Sequence, residues 1–229
     1  MRKKIPQGTL RASIGALVCL TLLGCINVED LRHPSHSMQY YSLEYPAPSP
    51  LFAEPSNAVL RLKRFEPLDA FATDRIVYEK APFSPDSSYY DRWAVSPASM
   101  VTGSVLRDLT ASGLFRAVVT APGNLLPDYE LAGTVESLQA RQGEKGWESE
   151  IIIHVLFYPF SSGGPRTPPA KIFHKRYVIT TPCQDLQALS VVKSMSAGME
   201  KFSNEMLLDL AGQMRSGHGQ SHNTEQTPE

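Results

Sequence analysis

Hydrophobic and polar positions along this chain switch between two periods, and the switches mark its elements. Tyr41, Leu43 and Tyr45 alternate with polar or small neighbours, which predicts a first short strand. Val59 to Leu62, within NAVLRLKRF, and Arg75 to Tyr78 predict two more. Tyr89-Tyr90-Asp91-Arg92-Trp93 predicts another. Pro46, Pro48, Pro50 and Pro55 stiffen the connector after the first strand. The period then changes. Val101, Val105 and Leu109 recur at i, i+4 and i+8, an apolar stripe on one helix face. Ser96 and Pro97 supply a cap and a proline for the first turn, and Gly113 supplies a left-handed stop followed by apolar Leu114. Phe115 to Val119 reads as a strand entered straight from that helix.

The second half reads as a meander. Leu131 and Val135 alternate with their neighbours. Ser149, Ile151, Ile153, Val155 and Phe157 fall on one face, with Glu148, Glu150 and His154 on the other. Phe173, Tyr177 and Ile179 form the last strand, with His174 and Arg176 opposite. A loop symmetric about SSGGPRTPP would set Val155 against Phe173, Ile151 against Tyr177 and His154 against His174. A one-residue slip would turn every side chain to the wrong face. Asp185 to Met214 predicts a long helix with Leu189, Val192, Met199, Met206 and Leu210 near one side. The expected class is α/β or α+β: one domain, a mixed sheet of about six to seven strands against two main helices.

The N-terminus is different. Arg2, Lys3, Lys4 and Arg11 precede an apolar stretch from Ile14 to Leu23, and no acidic residue comes before Glu29. Such a stretch is too short to span a bilayer, which takes about 20 apolar residues, but it fits the apolar region of a secretory signal. Leu22-Leu23-Gly24-Cys25 resembles a bacterial lipobox, with cleavage between Gly24 and Cys25 and lipid on Cys25. Residue 26 is Ile and not Asp, which by the enteric sorting rule favours the outer membrane. The expected organisation is a signal peptide over 1–24, a lipidated cysteine and tether over 25–37, a folded domain over 38–214 and a disordered tail over 215–229.

Removal of residues 1–24 leaves 229 − 24 = 205 residues and takes away four basic groups, so 18 basic face 23 acidic, a balance of −5. That argues against a nucleic-acid partner. Only Cys25 and Cys183 survive processing, too few for a disulfide framework or a cysteine-based metal site. Cys183 reads as a small core filler. HExxH, GxSxG and a phosphate-cradling loop are all missing from the sequence. His154 with His174, and Glu148 with Glu150, share strand faces without a third partner. Neither pair makes a metal centre or an acid–base site. The expectation is a protein without cofactor or turnover. The methionines at 195, 199, 206 and 214 read as core. Tyr41, Tyr89, Tyr90 and Trp93 are the candidate partner-contacting residues, because aromatics with polar tips favour interfaces. For Trp93 the competing reading is a staple between the first helix and the sheet.

These segments, in this order, resemble a family. YYSL, VLRLKRFEPLDAFATDRIVYE, DRWAVSPASMVTGSVLRDLTASGLFRAVV and DYELAGTVESL are similar to the ABC-type transport auxiliary lipoprotein component family. The resemblance covers most of residues 38–212. Its best-known members serve membrane-integrity transporters of the mammalian-cell-entry (MCE) type. It implies a non-enzymatic lipoprotein on the periplasmic side of the outer membrane. The implied partners are a periplasmic MCE-type protein and an inner-membrane ABC permease and ATPase. Phospholipid and a second copy of the chain are further partners this reading admits. The alternative is an envelope scaffold or a regulator of peptidoglycan synthesis built on a similar small domain; a lipid-anchored hydrolase is the third reading.

Overall fold

The computed structural model describes residues 37–51, 55–120, 125–160 and 173–218. The expected signal and lipobox, most of the expected tether, residues 161–172 and those beyond 218 lie outside them. In chain order the strands are β1 (Gln39–Tyr41), β2 (Ser56–Leu62), β3 (Glu66–Pro67), β4 (Arg75–Ala81) and β5 (Ser84–Trp93). Helix α1 (Pro97–Ser112) follows, then β6 (Phe115–Val119), β7 (Tyr129–Gly143), β8 (Gly146–Pro159), β9 (Phe173–Pro182) and helix α2 (Ala188–His218). The chain is a mixed α/β domain with one curled sheet and two helices. Its nine strands outnumber the six or seven expected; β3, which no alternation marks, holds only two residues. A run that short leaves no legible alternation.

Strand β7 organises the sheet. Along one edge it pairs antiparallel with β8 for its whole length, interrupted by a bulge between Val135 and Ser137. Along the other edge three strands pair parallel in succession: β2 at Tyr129–Leu131, β3 at Thr134–Val135 and β4 at Gln139–Arg141. From there the sheet splays, with β6 beyond β2 on one side and β5 then β1 beyond β4 on the other. Gly133 on β7 permits this crowding. The Phe65 ring lies across it, with its Cε2 2.6 Å from where a Cβ would sit.

Helix α1 packs on β6 and β7, α2 packs on β8 and β9, and the two helices meet. The first helix is delimited as its sequence predicts. Ser96 Oγ accepts from the Ser99 N–H at 3.4 Å, a proline occupies the first turn, and Gly113 closes it at φ 70° with buried Leu114 behind. Helix α2 starts at Ala188, later than expected, and continues to His218. Val192, Met195, Met199, Phe202, Met206, Leu210 and Met214 of α2 are buried, so its methionines are core. Leu189 is not; it is 54% exposed and lines a cleft instead.

Two local expectations need correction. The first strand ends at Tyr41, and Leu43 and Tyr45 reach the core from the following loop. The β8–β9 register is displaced by two residues. Ile151 faces Ile179, Ile153 faces Tyr177 and Phe157 faces Phe173. A slip of two preserves every face, because the pleat has period two. The face test therefore detects only odd slips. In the true register His154 faces Arg176, and its ring meets that of His174 only diagonally, edge-on at 6.1 Å between centroids.

Candidate functional site: an aromatic edge on β1 and β5

The four aromatic candidates converge on neighbouring strands. β1 lies parallel to β5, with Gln39 beside Asp91, Tyr40 beside Arg92 and Tyr41 beside Trp93. This pairing brings together residues 52 apart in sequence. Regular alternation would hide one of Tyr89 and Tyr90. Both are exposed, at 57% and 42%, because the β4–β5 register shifts between Arg75 and Val77 and β5 bulges there. Their rings meet edge to face at 5.1 Å. Arg75 and Arg92 lie over Tyr89, with guanidinium carbons 5.9 and 5.8 Å from the ring centroid. Arg92 is held in place by Asp74 at 2.7 Å and donates to the Tyr89 carbonyl at 3.3 Å.

Tyr41 and Trp93 point the other way. Trp93 is 2% exposed and belongs to the core, so it is removed from the contact set. It sits three residues before the capping Ser96, in the same core cluster as Ala98 and Val101 of α1. Tyr41 is half-buried, packs on the core and donates to Asp91 Oδ1 at 3.3 Å. Burial, then the Asp91 carboxylate, raises its phenol above the ordinary value. Tyr40, 63% exposed, takes its place on the outer side. Arg75 and Arg92 were missed in the sequence, since only the parallel pairing and the bulge gather them around Tyr89.

Two recesses flank this edge. One, of about 650 Å³, is polar and lies beside Thr73, Asp74, Arg75, Asp86 and Arg92. The other, of about 480 Å³, runs between Tyr40–Pro46 and the first turns of α2, where Leu189, Val192 and Lys193 line it. The Glu44 N–H donates to Ser196 Oγ at 3.0 Å across its floor. Rings, hydroxyls and fixed guanidinium groups at an exposed edge suit protein recognition, for which tyrosine and arginine give most of the energy.

The remaining polar candidates are otherwise engaged. Arg141 bridges Glu148 and Glu150, each at 2.9 Å, and Glu150 also accepts from Ser137 and Gln139. Among the described residues, no group of three or more His, Cys, Asp or Glu side chains could hold a metal. Cys183 is half-buried and burial pushes its thiol up. Cys25 and Gly24 lie outside the described residues. No helix among the described residues is long and apolar enough to cross a membrane.

The fold is similar to a solved protein from Xanthomonas campestris, with a TM-score of 0.63 at 17% identity over 78% of this chain and 99% of that one. A second solved structure, of an uncharacterized protein, matches at a TM-score of 0.57 and 18% identity, over 76% and 99% of the two chains. At such identities the likeness concerns the fold alone. No curated protein matches the chain. Residues 41–207, from β1 to well within α2, match the model of one family. The chain therefore belongs to the ABC-type transport auxiliary lipoprotein component family, whose description ties it to an ABC transport system and to a membrane-associated place in the cell envelope.

Proposed function

We propose that this protein is an outer-membrane lipoprotein facing the periplasm, the non-catalytic auxiliary subunit of an MCE-type lipid transport system. Its task is capture: it holds a periplasmic MCE-type protein near the outer membrane, while an inner-membrane permease and ATPase supply the energy. Phospholipid passes close to this junction. The observation that carries the reading is the exposed Tyr89–Tyr90 pair with its two arginines, on a sheet edge whose neighbouring strand β1 is the first element after the tether. An anchor at Cys25 confines such an edge to within a few tens of ångströms of the membrane, since a twelve-residue tether reaches about 40 Å. One acyl chain anchors marginally and several anchor stably.

The test is extraction of the full lipidated chain in mild detergent, followed by mass spectrometry of what comes with it. An MCE-type protein with its permease and ATPase is the expected set. Recovery of peptidoglycan synthases instead would favour the scaffold or regulator reading. Turnover of envelope lipids or peptidoglycan by the purified protein would overturn the non-catalytic one.

A further inference from the structure

The sharpest local oddity of the fold is the turn between β4 and β5. Ala81 pairs with Ser84, so the loop is only Pro82 and Phe83. Phe83 has φ 63° and is the only non-glycine with positive φ among the described residues. In two-residue turns with proline first and positive φ second, glycine or asparagine ordinarily fills the second place, because L side chains are disfavoured there. Here a phenylalanine occupies it and is 98% exposed. Its ring therefore contributes nothing to the core, and its backbone works against it. Strain of this sort is retained where the side chain serves something other than the fold.

The surroundings are arranged to present that ring. The Phe83 N–H donates to Glu79 Oε1 at 3.2 Å, and Lys80 pairs with Asp86 at 2.7 Å. The charged groups nearest the tip are thus engaged within the hairpin, Lys80 and Asp86 with each other and Glu79 with a backbone N–H. What projects is an aromatic ring between two exposed prolines, Pro82 and Pro85.

Chain direction names the occupant. Because β1 is parallel to β5, the polypeptide enters β1 from the end at which β5 begins, the end that bears Phe83. Gln39 lies beside Asp91, next to Arg92, which pairs with Arg75, six residues along β4 from Ala81 at the turn, or about 20 Å at strand rise. Fourteen peptide steps separate Cys25 from Gln39, an extended reach of about 48 Å. The anchor can therefore lie in the membrane while the turn touches it, with chain to spare.

We infer that the Pro82–Phe83 turn is a membrane-contacting tip that seats Phe83 in the interface of the bilayer holding the Cys25 anchor. This rests on the lipoprotein reading above. It adds an orientation: the domain stands on its hairpin, and Tyr89, in the β5 bulge between Ser87 and Arg92, whose partners Val77 and Arg75 lie four and six residues along β4 from Ala81, is carried roughly 13–20 Å above the tip, clear of the lipid and open to a partner.

Site-directed spin labelling of the mature chain tests it. Cys183→Ala removes the remaining free thiol, and a nitroxide is placed by Phe83→Cys or, as a control, at exposed Leu208 by Leu208→Cys. The protein is reconstituted into phosphatidylethanolamine–phosphatidylglycerol vesicles, and the acylation state of Cys25 is read by mass spectrometry on the same sample. The expected result is a label at 83 more accessible to oxygen than to a water-soluble nickel complex, and the reverse at 208. Acylated Cys25 with a water-exposed label at 83 overturns the tip alone. Unmodified Cys25 overturns the anchor and the tip with it. Dipolar broadening at 83 that vanishes on dilution with unlabelled protein would give the turn to a second copy and overturn the lipid assignment. Independently, Phe83→Gly should leave Tm unchanged or raise it; a lower Tm would mean that the ring serves the fold.

Discussion

Tyr45 donates its phenolic proton to Oδ2 of Asp108 at 2.6 Å, and Asp108 is fully buried. The same oxygen accepts from Ser203 Oγ of α2 at 2.6 Å, and Oδ1 takes Arg107 Nε at 2.8 Å. Arg107 also lies 4.3 Å over the Tyr45 ring and donates to its carbonyl. One carboxylate on α1 thus joins the segment leaving β1 to both helices. A buried charge persists only when paired and hydrogen-bonded, and here three donors from three parts of the chain meet that need.

Asp108→Ala should consequently be among the most damaging single changes. It strands two buried hydroxyls and frees the segment that sets β1 against β5. A loss of about 3 kcal/mol is expected, read as a lower urea midpoint. An unchanged midpoint would show that the contact is not needed to hold the helices together.

Alkaline pH should loosen this junction and a second contact, in which Tyr177 donates to Asp209 Oδ2 at 2.8 Å. Burial and then Asp108 raise the Tyr45 phenol; burial and then Asp209 raise that of Tyr177. In the unfolded chain both ionise near pH 10. Above that pH the folded state holds more protons than the unfolded one, so stability is complete below about pH 10 and falls as pH rises toward the folded values. Denaturation midpoints from pH 8 to 11 should show this decline, and Tyr45→Phe with Tyr177→Phe should flatten it.

Glycine positions give a sharper structural check. Gly113→Val places a β-branched residue at φ 70° and should cost on the order of 1–2 kcal/mol. Gly133→Ala drives a methyl into the Phe65 ring, an overpacking of about 1–3 kcal/mol. Phe65→Leu in the same chain should recover part of the second loss and none of the first. Thermal melts of the three variants decide this.

Partner capture should depend on the exposed pair. Tyr89→Ala with Tyr90→Ala removes rings that the core does not use, so Tm should move by no more than about a degree or two while co-purification of the proposed MCE-type partner falls at least tenfold. Trp93→Ala is the contrast: it should lower Tm sharply, because it empties a fully buried site. Retained capture by the double variant would move the interface elsewhere.

Anchoring has its own test. Cys25→Ser should abolish palmitate incorporation and release the protein from membranes. Labelling equal to wild type would remove the lipid anchor from the reading.

Local chemistry was legible in the sequence wherever neighbouring residues decide it. Ser96, Pro97 and Gly113 specify the ends of α1 through their own backbone preferences, and alternation specifies which faces of β8 and β9 are buried. The family segments span the core of the domain for the same reason. Tertiary structure alone decided the rest. The β8–β9 register escaped because a slip of two residues is invisible to alternation. The division of Tyr89 and Tyr90 from Trp93 depended on a bulge that the run YYDRW does not signal. The arginines around Tyr89, and the end of the sheet from which the chain enters β1, follow from β1 lying parallel to β5. That pairing joins residues 52 positions apart, and no local preference of either strand encodes it.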